Sequence, residues 1–151
     1  MVALPGSQAD AEEGLVLAPK FDGDGLLTCV VTDVHSNDVL MVAHMNAEAL
    51  GRTIESAEAW FYSRSRQELW RKGSTSGHVQ KVVEMRVDCD QDAIWIKVEQ
   101  VGAGACHTGR RSCFYRLVAL ATGKGAGAPL EFRDAARSFD PETVYPPKLK
   151  R

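Results

Sequence analysis

A chain of 151 residues, 44% hydrophobic and 25% charged, has the size and balance of one globular domain that buries a core without covalent staples. A formal net charge of −2 argues against general attraction to nucleic acid or an anionic membrane, and no segment approaches the roughly 20 apolar residues that span a bilayer. Residues 1–15 have neither the cationic start nor the apolar run of a signal peptide, so a cytoplasmic location is expected.

Residues 1–19 mix Gly, Pro, Ala and acids without periodicity and read as a flexible tail, as do residues 134–151, which contain Pro141, Pro146 and Pro147. The working domain is expected over residues 20–133. Residues 26–34 and 39–43 are rich in Val and Leu, and Ser36-Asn-Asp38 between them supplies a turn, which predicts a hairpin. Asn46 suits a helix N-cap, with Glu48 in the first turn and Ala47, Leu50 and Ile54 on one face. Trp60-Phe-Tyr-Ser63 returns to strand composition. Over residues 79–89 the odd positions Val79, Val83, Met85, Val87 and Cys89 are apolar, Lys81 excepted, which predicts a half-buried strand. After Asp90-Gln-Asp92 the alternation restarts with Ile94, Ile96 and Val98 on one face, completing a second antiparallel hairpin. A Gly-rich loop leads to Cys113-Phe-Tyr-Arg-Leu-Val, a further strand with which residues 129–132 can pair.

Two metal-binding patterns overlap near Cys89. Asp88, Asp90 and Asp92 alternate, so extended backbone puts them on one face and Cys89 on the other. Hard carboxylates suit magnesium and thiolates suit zinc, so the run divides between two sites. The three acids also match EF-hand loop positions 1, 3 and 5, but Ala93 stands where that loop needs Gly and the flanks have strand periodicity. A plain solvated turn is the simplest reading of the acids alone. Four cysteines without an export signal read as thiols, ligands or buried side chains. Cys29 lies in an apolar run and reads as a packed hydrophobe. Cys106 and Cys113 bracket the polar run His107-Thr-Gly-Arg-Arg-Ser, where buried apolar thiols have little reason to sit. Cys89, Cys106 and Cys113 would leave zinc's fourth position open for water, as in hydrolytic sites; His107 as fourth ligand would make the site structural instead. The spacing leaves both open.

His35 reads as a solvated turn residue, His44 as a structural histidine, and His78 either as a surface residue or as part of the ligand-approaching loop Gly73-Ser-Thr-Ser-Gly77. Arg64, Arg66, Arg71, Lys72, Arg110 and Arg111 flank these loops. Such clusters are usually solvated, but an Arg fork matches phosphate geometry and suggests a phosphorylated small substrate. Trp70 suits either base stacking or the core.

Leu40-Met-Val-Ala-His-Met-Asn46, Trp60-Phe-Tyr-Ser-Arg-Ser-Arg66, Leu69-Trp-Arg-Lys-Gly73, Thr75-Ser-Gly77, Asp88-Cys-Asp90 and Ala105-Cys-His-Thr-Gly-Arg-Arg-Ser-Cys-Phe-Tyr115 together resemble the phosphoribosyl-AMP cyclohydrolase family of histidine biosynthesis. The resemblance spans roughly residues 20–120. His44, where Tyr or Trp is expected, and Ser74, where an acid is frequent, depart from it. It implies a mainly β (α+β) fold, with antiparallel hairpins in a barrel-like domain capped by a short helix. It further implies an intertwined homodimer with zinc ligands from both subunits, zinc at Cys89, Cys106 and Cys113, and magnesium at Asp88, Asp90 and Asp92. The implied reaction is hydrolysis of the adenine N1–C6 bond of phosphoribosyl-AMP. His107 would then be the proton shuttle, and Arg64, Arg66, Lys72, Arg110 and Arg111 would face the substrate's phosphates. Some family members carry a fused pyrophosphohydrolase domain, for which about 30 residues beyond the match leave no room. A base deaminase is excluded, because its H-x-E and P-C-x-x-C signature is absent. A zinc-stabilised binding module without catalysis is the alternative, and it requires a saturated zinc site.

Overall fold

The computed structural model describes residues 8–102, 104–133 and 139–144. The first hairpin forms as β1 (Leu27–Asp33) and β2 (Val39–Met45), antiparallel from Leu27 opposite Met45 to Thr32 opposite Val39. Its turn is held by Asp33, whose Oδ1 accepts the amides of His35 and Ser36 at 2.7 and 3.1 Å.

Asn46 caps α2 (Ala47–Ser56), with Oδ1 accepting the Ala49 amide at 2.8 Å. The buried face is Ala49, Leu50 and Thr53; Ala47 and Ile54, expected inward, are exposed. Thr53 can occupy the interior because its hydroxyl is satisfied there. It donates to the Ala49 carbonyl at 2.8 Å and accepts the Trp60 amide at 3.0 Å, fastening the helix to β3 (Trp60–Ser63). β3 pairs antiparallel with β4 (Glu68–Arg71), whose Trp70 ring packs 5.1 Å from Phe61.

The second hairpin is β5 (Gln80–Val87) and β6 (Ala93–Gln100). β6 keeps strict alternation, with Ile94, Ile96 and Val98 buried. β5 does not: a bulge between Val82 and Glu84 changes its parity. Gln80 and Val82 face inward before the bulge and Met85 after it, while Val83 is pushed into solvent. The uniform apolar face expected over residues 79–89 is corrected accordingly.

β1 lies parallel to β6, from Thr28 opposite Ala93 to Asp33 opposite Val98, giving one four-stranded sheet of order β2-β1-β6-β5. Its inner face meets α2 and the β3–β4 ribbon around Leu27, Cys29, Leu40, Met45, Leu50 and Phe61. β7 (Arg116–Val118) and β8 (Leu130–Phe132) pair as expected but form a separate ribbon with every strand residue exposed.

The mainly β, α+β reading stands; the barrel does not. Residues 57–59 bond to the start of β5, with Val82 N to Ala57 O at 2.8 Å and Ala59 N to Gln80 O at 3.0 Å. On the other side β2 pairs with β1 and β3 with β4, but β2 and β3 belong to separate sheets, so among the described residues the ladders do not close into a ring. The described parts of the two tails are also structured. α1 (Gln8–Glu13) precedes the buried Ala18, and Phe139, just before α3 (Pro141–Val144), bonds through its amide to the Gly109 carbonyl at 3.2 Å.

Candidate active site

The candidate residues fall at two ends of the sheet. At one, β5 begins and β6 finishes, and the loop after β6 carries Cys106 and Cys113. At the other, the β5–β6 turn carries Asp88, Cys89, Asp90 and Asp92. The eight residues of β5 separate the ends by about 23 Å at 3.3 Å per residue.

At the first end, two successive carbonyls ahead of Cys106 are gripped by side chains from the residue 72–78 segment. His78 Nδ1 lies 3.2 Å from the Gly104 oxygen, and the buried Lys72 donates from Nζ to the Ala105 oxygen at 2.6 Å. Backbone pairing finishes the loop: Ala105 N to Arg111 O at 3.0 Å, Cys106 N to Arg110 O at 3.1 Å, and Cys113 N to Leu40 O at 2.8 Å on β2. Gly104 has no alternative, because a Cβ there would meet the Arg110 carbonyl at 2.7 Å.

This folding brings Cys106 and Cys113 together. A hydrogen bond from Cys113 holds the Cys106 thiol down at about 5; burial opposes the shift, and the Thr108 hydroxyl and amide and the His107 charge add to it. Thr108 Oγ1 is 3.0 Å from Cys106 Sγ. A thiol ionised at neutral pH is the state that ligates a soft cation, so the donor chemistry fits zinc. Cys29, buried among β-strand side chains, is driven upward by desolvation and is the inert core thiol expected.

His107 and Cys113 share the wall of a cleft with Met41, Trp70, Lys72 and the residue 73–76 loop, and Arg66 stands at its rim. Gly73 takes φ +91° and its Cα packs on the Val79 backbone, a position no side chain fits. Trp70 packs on Phe61 and also lines the cleft. His78, open between surface and ligand roles, is a half-buried anchor whose ring meets Phe139 edge-on at 4.6 Å. Burial, and then the charge of Lys72, lower its pKa, with the bond to Gly104 opposing.

The basic residues separate. Arg66 stacks over Trp70 at 5.9 Å and pairs with Glu68 at 3.2 Å. Arg64 lies in a neighbouring cleft with His44, Tyr62 and Ser63, on the far side of Val42. Arg110 lies 4.1 Å over the Tyr115 ring. Arg111 points away from the cleft: its guanidinium bonds Asp38 at 2.9 Å, Asp33 at 3.1 Å and Ser36 Oγ at 2.7 Å. Burial pushes Asp33 up, but the amides of His35 and Ser36 and the Arg111 guanidinium outweigh it and hold the carboxyl below its ordinary range. Arg111 is thus a clamp on the β1–β2 turn, a role that basic clustering in sequence could not distinguish from phosphate binding.

At the other end, Asp88, Asp90 and Asp92 each bring a carboxylate oxygen within 4.8 Å of the others, all exposed. Hydrogen bonds with Asp90 and Asp88 raise Asp92 to about 6, while the one with Asp92 heads the causes that lower Asp90. Crowded hard oxygens of this kind suit a small divalent cation, whose charge would offset their mutual repulsion. Cys89 is exposed beside them and does not join Cys106 and Cys113.

Residues 41–115 match the model of a family described as phosphoribosyl-AMP cyclohydrolase. A protein of that name from Nitrobacter winogradskyi is 66% identical over 139 residues, covering 92% of this chain and 94% of its own. This chain belongs to the phosphoribosyl-AMP cyclohydrolase family. Similar cyclohydrolases from Rhodopseudomonas palustris (64% identical, 90% of each chain) and Bradyrhizobium diazoefficiens (65% identical, 90% of this chain and 94% of its own) agree. The match runs from β2 through Tyr115 and so contains both ends of the sheet, the cleft and the thiol loop.

Proposed function

We propose that this protein is the phosphoribosyl-AMP cyclohydrolase of histidine biosynthesis, opening the adenine ring of phosphoribosyl-AMP by hydrolysis of the N1–C6 bond. The observation that carries this reading is the cleft in which a histidine, a thiol paired with an ionised neighbour, an aromatic face and an arginine meet, in a chain 66% identical to a protein of that name.

Cys106 and Cys113 would hold zinc together with Cys89 of a second copy, since about 23 Å of β5 keeps a chain's own Cys89 away. Bound there, zinc supplies the Lewis acidity that lowers the pKa of water. His107 takes the proton from water as its oxygen attacks C6, and returns it to N1 as the N1–C6 bond breaks. Trp70 offers the base a flat face. Arg66 at the cleft rim and Arg64 in the adjoining cleft receive the two phosphates, and the bond to Ala105 makes Lys72 as much an anchor of the thiol loop as a phosphate contact. Asp88, Asp90 and Asp92 would hold magnesium.

The homodimer that this site needs is also supported by the β7–β8 ribbon. Phe114, Val118, Leu120, Leu130 and Phe132 are 52–86% exposed there, and a two-stranded ribbon with no buried residue is marginal in water until another surface covers it. Incubation of the purified protein with phosphoribosyl-AMP, with and without a chelator, tests the reading: chelator-sensitive ring opening is expected, and none by folded, metal-supplied protein would refute it.

A further inference from the structure

Gln91 is the one buried residue of the Asp88-Cys-Asp-Gln-Asp92 turn, 3% exposed between two exposed carboxylates. It also holds a left-handed backbone, φ 58°, which a residue other than glycine keeps only when its surroundings enforce it. The enforcement comes from the far end of the sequence. Gln91 Oε1 accepts the Ala18 amide at 2.7 Å, its Nε2 donates to the Ala11 carbonyl at 2.9 Å, and its own carbonyl accepts the Lys20 amide at 2.7 Å. Within the turn, the Gln91 amide donates to the Asp88 carbonyl at 3.1 Å, and Asp88 Oδ1 accepts the amides of Asp92 and Ala93 at 3.0 and 3.1 Å. Local bonds therefore fix the Asp88 side of the turn, and the bonds to residues 11–20 fix the middle, from which Asp90 and Asp92 project.

We propose that residues 11–20 are a strap that acts through Gln91 as a positioning residue, presetting Asp88, Asp90 and Asp92 for a divalent cation. The proposal rests on the reading of those acids as the magnesium site. A ligand set held ready spends no binding energy on ordering, and loss of the groups that orient ligands costs about 10–100-fold in metal affinity.

Three variants of the full chain, loaded with zinc, separate the contributions. Gln91→Ala removes both side-chain bonds. Gln91→Glu keeps the acceptor for Ala18 but faces the Ala11 carbonyl with oxygen. Ala18→Pro removes the strap's donor to the Gln91 side chain without touching the turn. Isothermal titration with Mg²⁺ should show each binding about 10-fold or more weakly, with zinc content and circular dichroism unchanged and the Gln91→Ala/Ala18→Pro double variant no weaker than Gln91→Ala. If one Gln91 variant prevents folding the other decides, and if Ala18→Pro does, Lys20→Pro, which removes the strap's amide donor to the Gln91 carbonyl, takes its place. Wild-type affinity in the folded variants overturns the proposal while leaving the magnesium reading intact. Weakening by the Gln91 variants with none by Ala18→Pro overturns the strap. A wild-type protein that takes up no Mg²⁺ removes both readings.

Discussion

His107 stands half-buried in the cleft wall next to the pair formed by Cys106 and Cys113, close enough for its charge to act on Cys106. That placement suits a group that carries a proton. His107→Ala should lower kcat by roughly 10²–10⁴ with zinc content, read by elemental analysis, unchanged. Loss of zinc would instead make His107 a ligand and favour the binding-module alternative. His78 gives a different pH signature. Its folded pKa lies below the ordinary 6.5 because burial disfavours the cation, so below pH 6.5 the unfolded chain binds more protons than the native one. Stability should fall as pH drops from about 6.5 through the lowered value. Denaturant melts of His78→Asn should be flatter across that window.

Among the elements, the joint between α2 and β3 turns on one hydroxyl. Thr53→Val keeps the shape but strands the Trp60 amide, and chemical denaturation should show a loss of about 1–3 kcal/mol. Asn46→Ala, which removes the cap, should cost about 1 kcal/mol in the same assay. The two cases also mark how far sequence could be read. The cap and both hairpins announced themselves through short-range patterns: an Asn before an apolar face, alternation, turn residues. Thr53 did not, because a polar residue at an inward position is recognised only when its partner on a later strand is known. The Val83 bulge escaped for a related reason, since strict alternation of residue type says nothing about one extra residue against the facing strand. Residues 68–71 hid as a strand because Arg71 and Lys72 read as a basic cluster, and Gln91 hid among acids that look like a solvated turn. In the site, the presence of thiols and clustered acids was legible and the distance between Cys89 and the other two thiols was not, because it depends on which end of β5 each occupies.

At the scale of the molecule, one chain holds two of the three thiols proposed for zinc at one end of the sheet and the third at the other. Cys89→Ala and Cys106→Ala proteins should each be inactive, yet mixing them under conditions that exchange subunits should restore roughly a quarter of wild-type activity. Half of the dimers are then mixed, and each has one intact site of two. No recovery despite proven exchange would place all three thiols in one subunit.

The parallel pairing of β1 with β6 has a consequence for the time at which this sheet can exist. The two strands lie about 65 residues apart in sequence. During translation at about 5–20 residues per second, β1 leaves the ribosome several seconds before the strand that covers its second edge. For that interval Cys29 and Val31 are flanked by β2 alone, with Ile94 and Ile96 still unmade. The nascent chain thus passes through a stage in which an apolar strand edge is open to neighbouring chains, and the yield of folded protein should be decided there, by chaperone supply and synthesis rate.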